Sequence, residues 1–117
     1  SSEGGPMGGC ISVYVTTATA AEAEQLGRTL VEERLAACAN VIDGLTSIYR
    51  WEGETRRDRE AAVLLKTRAE LLPRAEARIR ELHGYDTPCV VAWPIVGGNE
   101  AYLAWIREQT LEASPGS

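Results

Sequence analysis

Residues 34–54, RLAACANVIDGLTSIYRWEGE, constrain the fold of this chain more than any other segment. An apolar helix end at Leu35-Ala36-Ala37 passes directly into Cys38 and Asn40. Val41, Ile42, Ile48, Tyr49 and Trp51 then carry strand-type residues up to a turn containing Gly53. A helix that feeds straight into a strand and then a hairpin requires mixed α and β structure.

The flanking segments extend this reading. CISVYVTT, residues 10–17, alternates and favours β-branched residues, so it reads as a strand. Thr19 and Glu22 follow with the spacing of a capping box, and Ala23, Leu26, Leu30 and Val31 recur at helical spacing through Arg34. The hairpin is expected to pair Thr46–Trp51 with Ala61–Thr67, turning around Gly53. Arg56, Arg57 and Arg59, interleaved with Glu52, Glu54, Asp58 and Glu60, read as its solvated, charge-balanced tip. Leu71, Leu72, Ala75, Ile79 and Leu82 mark a second amphipathic helix with Pro73 in its first turn and Gly84 just past its end. Residues 89–95 form the fourth strand, and Asn99 caps a last short helix carrying Tyr102, Leu103 and Ile106. The order βαββαβ plus a terminal helix predicts an α+β, ferredoxin-like sandwich with an extra C-terminal helix. Two helices cover one sheet face; the other is too apolar to stay in water and calls for a partner subunit.

At 117 residues the chain has room for one domain, assigned to residues 10–111. Residues 1–9 read as a disordered tail or cloning remnant with Met7 as the native start, and residues 112–117 as a second disordered tail. No apolar run approaches the roughly 20 residues of a membrane helix. A net charge of −5 argues against nucleic acid and anionic membranes as partners. Cys10, Cys38 and Cys89 are widely spaced and odd in number, which fits neither a metal knuckle nor a disulfide framework and points to a reducing, cytoplasmic setting.

Several residues can carry chemistry. His83, the sole histidine, sits at a helix end where carbonyls or a metal would hold an imidazole equally well. Cys38 lies at a helix-to-strand junction and reads either as a small buried hydrophobe or as a soft ligand suited to Cu(I) or zinc. Lys66 is the only lysine among twelve basic residues, on the same strand side as Ala62 and Leu64; it fits an anion anchor or a snorkelling surface residue. Trp51, Tyr85, Trp93 and Trp105 are packing or interface aromatics. There is no nucleophile elbow, Walker loop or HExxH, so no enzyme is expected.

The pieces RLAACANV, TSIYRWEGE, LLKT, LHGYDTP and AYLAWI together resemble the CutA family of divalent-cation-tolerance proteins over nearly the whole chain after its start. The resemblance implies a tight homotrimer of ferredoxin-like protomers, built like the PII-type nitrogen-signalling trimers. It also implies tolerance of divalent metals, copper above all, with copper or another divalent ion as the bound species. Carried over residue by residue, it makes His83, Cys38 and Glu60 the metal candidates. Asn40, Trp51, Lys66, Tyr85 and Trp105 become cleft residues between protomers. Two positions depart from the family pattern: Gly84 stands where proline is common after the histidine, and Cys89 where an acidic residue is common. A thiol in place of a carboxylate shifts ligand preference toward soft metals. The alternatives are a PII-like anion or small-molecule sensor using Lys66, Tyr85 and Trp51, and a trimeric scaffold for partner proteins.

Overall fold

The computed structural model describes residues 9–85 and 87–111; the expected tails lie outside the described residues except for Gly9. Strands β1 (Cys10–Thr17), β2 (Cys38–Trp51), β3 (Glu54–Arg68) and β4 (Val90–Pro94) alternate with helices α1 (Ala20–Glu32) and α2 (Leu72–Leu82), and α3 (Glu100–Gln109) closes the chain. The sheet order is β2-β3-β1-β4, and every pairing is antiparallel. This is the ferredoxin-like arrangement expected from the sequence.

Alternation sorts the central strands. Ile11, Val13 and Val15 of β1 and Ala61, Val63 and Leu65 of β3 share a face with Ala23, Leu26 and Leu30 of α1 and Ile79 of α2, all buried in one core. Each such aliphatic side chain contributes on the order of 1.5–3 kcal/mol when fully buried. The caps follow the sequence. Thr19 Oγ1 accepts from the Glu22 N–H at 3.1 Å, and Glu22 Oε1 reaches back to the Ala18 N–H at 3.2 Å. Asn99 Oδ1 accepts from the N–H groups of Ala101 and Tyr102. On the sheet's other face α3 covers only the Cys10 end, where Ile106 packs with Cys10 and Ala37 and is flanked by Ile95 and Leu103. Ile42, Val91 and Trp93 stay exposed.

Two expectations change. Thr46–Trp51 does not pair with Ala61–Thr67: Thr46 lies opposite Arg59 and Trp51 opposite Glu54, while residues 61–67 pair with β1 and with Cys38–Ile42. The charged stretch 54–60 is therefore strand, not tip. It runs along a two-stranded ribbon whose residues 54–59 are exposed on both faces, so its strand character carries no apolar alternation to read. The tip is Glu52-Gly53 alone, both at positive φ (51° and 81°) as a two-residue type I′ turn requires. A register shift between Ile42 and Leu45, with Gly44 at φ 79°, bends the ribbon away from the sheet. The fourth strand is also shorter than 89–95, leaving Cys89 outside it and exposed.

Helix α1 lies unusually close to β2 at Gly27, where an added Cβ would stand 2.7 Å from the Ala39 Cβ. That neighbour is fixed to a strand and cannot yield. Gly27→Val is expected to cost about 1–3 kcal/mol by overpacking, lowering the melting temperature by at least about 4 °C. A circular-dichroism melt that is unchanged would show that α1 can shift off the sheet without loss.

Candidate functional site

His83 caps the C-terminus of α2, its N–H donating to the Ile79 carbonyl at 2.8 Å. Its ring is held from both sides. Nδ1 accepts from the Tyr85 N–H at 3.1 Å, so the ring proton resides on Nε2, which donates to the Thr16 carbonyl at 2.6 Å. The Tyr85 ring tilts over the imidazole with centroids 4.7 Å apart. Its hydroxyl donates to Glu60 Oε2 at 2.8 Å, and the Ser47 hydroxyl donates to Glu60 Oε1 at 2.6 Å. One chain of bonds thus links β1, the end of α2, β3 and β2.

The surroundings are acidic. Burial, then the hydrogen bond to Glu60, then the charges of Glu60, Glu22 and Asp58 push the Tyr85 phenol up to about 12, so it is a neutral donor at ordinary pH. Asp58 in turn accepts from the Tyr49 hydroxyl, which raises that phenol as well. A cavity of about 140 Å³ opens beside the ring, lined by Thr17, Glu22, Leu26, Leu82, His83 and Gly84. A negative, partly enclosed cleft of this kind favours cations.

A second group lies at the other end of the sheet. Cys38 is half-buried, its thiol 3.4 Å from the Tyr102 hydroxyl, and Tyr102 stacks on Trp105 at 5.5 Å. The contact with Cys38, then burial, pushes the Tyr102 phenol up to about 12. Lys66, in register with Cys38 and Ser12, donates to Asn40 Oδ1 at 2.7 Å.

The candidate residues therefore fall into two groups with one outlier. Glu60, His83 and Tyr85 stand together; Cys38, Asn40, Lys66 and Trp105 gather around Tyr102; Trp51 stands alone by the ribbon tip. His83 docks on Thr16 while Cys38 aligns with Ser12, four residues along β1, or roughly 13 Å at a strand's rise. Among the described residues, no three His, Cys, Asp or Glu side chains of this one chain are placed to hold a metal ion. Sequence reasoning missed Ser47 and Tyr102. Ser47 joins Glu60 only through the ribbon register; Tyr102 has a usable signal, its i,i+3 spacing from Trp105 on one helix face.

Comparison with known proteins agrees with this fold. The sequence profile of the family described as CutA1 divalent ion tolerance protein matches residues 11–109. The divalent-cation tolerance protein CutA of Thermus thermophilus is 47% identical over 98 residues, covering 84% of this chain and 95% of that protein. Protein CutA, chloroplastic, of Arabidopsis thaliana is 40% identical over 100 residues, and the match covers 86% of this chain but only 55% of that longer protein. The crystal structure of CutA1 from Oryza sativa superposes with a TM-score of 0.87 at 38% identity, covering 92% of this chain and 99% of that one.

The Tyr85 phenol has a raised pKa in the folded chain, so the stability it lends is fully present below about pH 10, the unfolded value. It is lost as pH rises toward about 12. Tyr85→Phe should remove one late-titrating component from the ultraviolet tyrosinate titration and flatten the alkaline fall in melting temperature. A difference between parent and variant curves that lies at about pH 10, the ordinary tyrosine value, would overturn the Tyr85–Glu60 hydrogen bond.

Proposed function

The chain belongs to the CutA1 divalent ion tolerance protein family, and on that premise we propose that it serves tolerance of, or response to, divalent metal ions as a homotrimer that binds copper or a similar ion. One observation supports the assembly above all: Ile48, Trp51, Val91 and Trp93 are 69%, 56%, 49% and 46% exposed along the ribbon and the uncovered sheet face. A two-stranded ribbon is marginal by itself in water, and large exposed apolar side chains on its surface favour association.

Metal binding and assembly depend on each other in this reading. With one histidine per chain and its cysteines apart, a site of three or more ligands needs donors from a neighbouring protomer. His83 is suited to supply one. Its Nε2–H is fixed by a backbone carbonyl, the arrangement that orients ligating imidazoles, and among the described residues its Nδ1 lone pair is engaged by the Tyr85 N–H alone. Glu60 adds a carboxylate nearby. Cys38 and the exposed Cys89 offer thiols, which together with imidazole suit copper or zinc better than magnesium or calcium.

The PII-like sensing alternative draws less support, because the family model and the Thermus thermophilus relative that match this chain are both named for divalent ion tolerance. We assign no catalysis: the relatives are named for tolerance, and the site pairs no nucleophile with a base. Among the described residues no helix is long and apolar enough to cross a membrane. We place the protein in the cytoplasm because all three cysteines are unpaired, although two relatives are named chloroplastic and one periplasmic.

Native mass spectrometry of the protein titrated with Cu(I), Cu(II) and Zn(II), alongside Cys38→Ser and His83→Ala, tests this reading. The expected result is a trimer that takes up copper stoichiometrically and loses it in His83→Ala. A trimer whose uptake is indifferent to both substitutions overturns the metal site, and a monomer overturns the assembly.

A further inference from the structure

Helix α3 ends beside a concentration of positive charge that the metal reading does not use. The last carbonyls of a helix lack intrahelical donors, and here two arginines from elsewhere supply them. Arg34, held in the left-handed region at φ 63° just past α1, donates from Nε to the Gln109 carbonyl at 3.1 Å and from Nη2 to the Glu108 carbonyl at 2.8 Å. Arg68, the last residue of β3, donates from Nη2 to the Arg107 carbonyl at 2.7 Å and from Nε to Thr110 Oγ1 at 3.0 Å. Arg107 projects from α3 itself; among the described residues its one side-chain hydrogen bond is a long one, from Nη1 to Cys10 Sγ at 3.8 Å. The three guanidiniums line a cavity of about 440 Å³, together with Glu108, Thr110 and Leu111.

Helix capping accounts for one edge each of Arg34 and Arg68, and the α3 dipole favours a cation at Arg107 in its last turn. Neither accounts for the open volume that the three residues line. Among the described residues none of these arginines forms an ion pair, whereas Arg78 meets both Glu33 and Glu81 within 3.0 Å. Nη1 of Arg34, Nη1 of Arg68 and the Nε–Nη2 edge of Arg107 likewise have no hydrogen-bond partner among the described residues. Three arginines against Glu108 leave the lining at a net charge of about +2, in a chain whose net charge is −5. Guanidinium edges match oxyanions geometrically, and a phosphoryl group carries both the charge of about −2 and the three oxygens that three separate donors can share. The volume lies within the range of small-molecule sites.

We propose that the Arg34–Arg68–Arg107 pocket at the end of α3 binds the phosphoryl group of a small phosphorylated ligand. It is separate from both groups of candidate residues described above, and its occupancy would be sensed by the last turn of α3, because the same guanidiniums hold that turn's carbonyls.

Isothermal titration of the full chain with inorganic phosphate and, separately, glycerol 3-phosphate tests the assignment and distinguishes a free ion from a phosphate ester. Arg107→Gln leaves the Arg34 and Arg68 caps in place, so the unliganded melting temperature should be unchanged while affinity falls about tenfold, the loss of one charge-assisted hydrogen bond. Glu108→Gln should tighten binding by removing the one carboxylate of the lining. Binding that is equal in parent and Arg107→Gln means an adventitious ion only and overturns the proposal. So does a parent protein that binds neither probe at millimolar concentration.

Discussion

The antiparallel pairing of β1 with β3 is the constraint on which the remaining structure depends. With Val15 opposite Val63 and Val13 opposite Leu65, the apolar residues of both strands face the helices together. The alternate set, Ser12, Tyr14 and Thr16 with Ala62, Leu64 and Lys66, faces the other way. A slip of one residue would exchange the two faces and put Lys66 into the core, so the register is strongly specified. Both groups of candidate residues inherit their positions from it. Thr16 offers its carbonyl to His83 at one end, and at the other Ser12 aligns Lys66, through which Cys38 is placed on β2.

The sequence was most legible where burial imposes a period. The strand 10–17, the helix caps at Thr19 and Asn99 and the helix after Leu71 follow from alternation, cap chemistry and 3.6-residue spacing, and the structure has them at those places. It was least legible along 54–60. A ribbon exposed on both faces has no inside, so its residues are chosen by cross-strand pairing, as between Tyr49 and Asp58, and a run of charges there looks like a loop. The site divides in the same way. His83, Glu60 and Tyr85 were recognisable singly, but their connection through Thr16 and Ser47 depends on the register and on how α2 returns to the sheet.

Tyr85 gives the His83 group its character. Its backbone N–H fixes the imidazole tautomer while its phenol, kept protonated by burial and by Glu60, ties that carboxylate to the same short segment. A cation that took the Nδ1 lone pair would have to displace the Tyr85 N–H, and any shift of Tyr85 would loosen Glu60. Under the proposed metal-binding function, ligand entry and release of the carboxylate would be coupled through this one residue. Among the described residues no three metal-ligating side chains of one protomer converge, so a metal site of the proposed kind would need to be completed by whatever covers the exposed ribbon and sheet face.

The near-exclusive use of arginine acquires a structural meaning at the end of α3. A lysine at 34 or 68 could also donate to a helix-end carbonyl, but its rotatable ammonium lacks the planar fork with which each arginine holds two acceptors at fixed geometry. A guanidinium caps with one edge and keeps another available, so the same residues that stop α3 can also meet a ligand. Lys66, by contrast, makes one bond to Asn40, a task for which one ammonium suffices. At 34, 66 and 68 the choice of basic residue thus matches the geometry in which each donates.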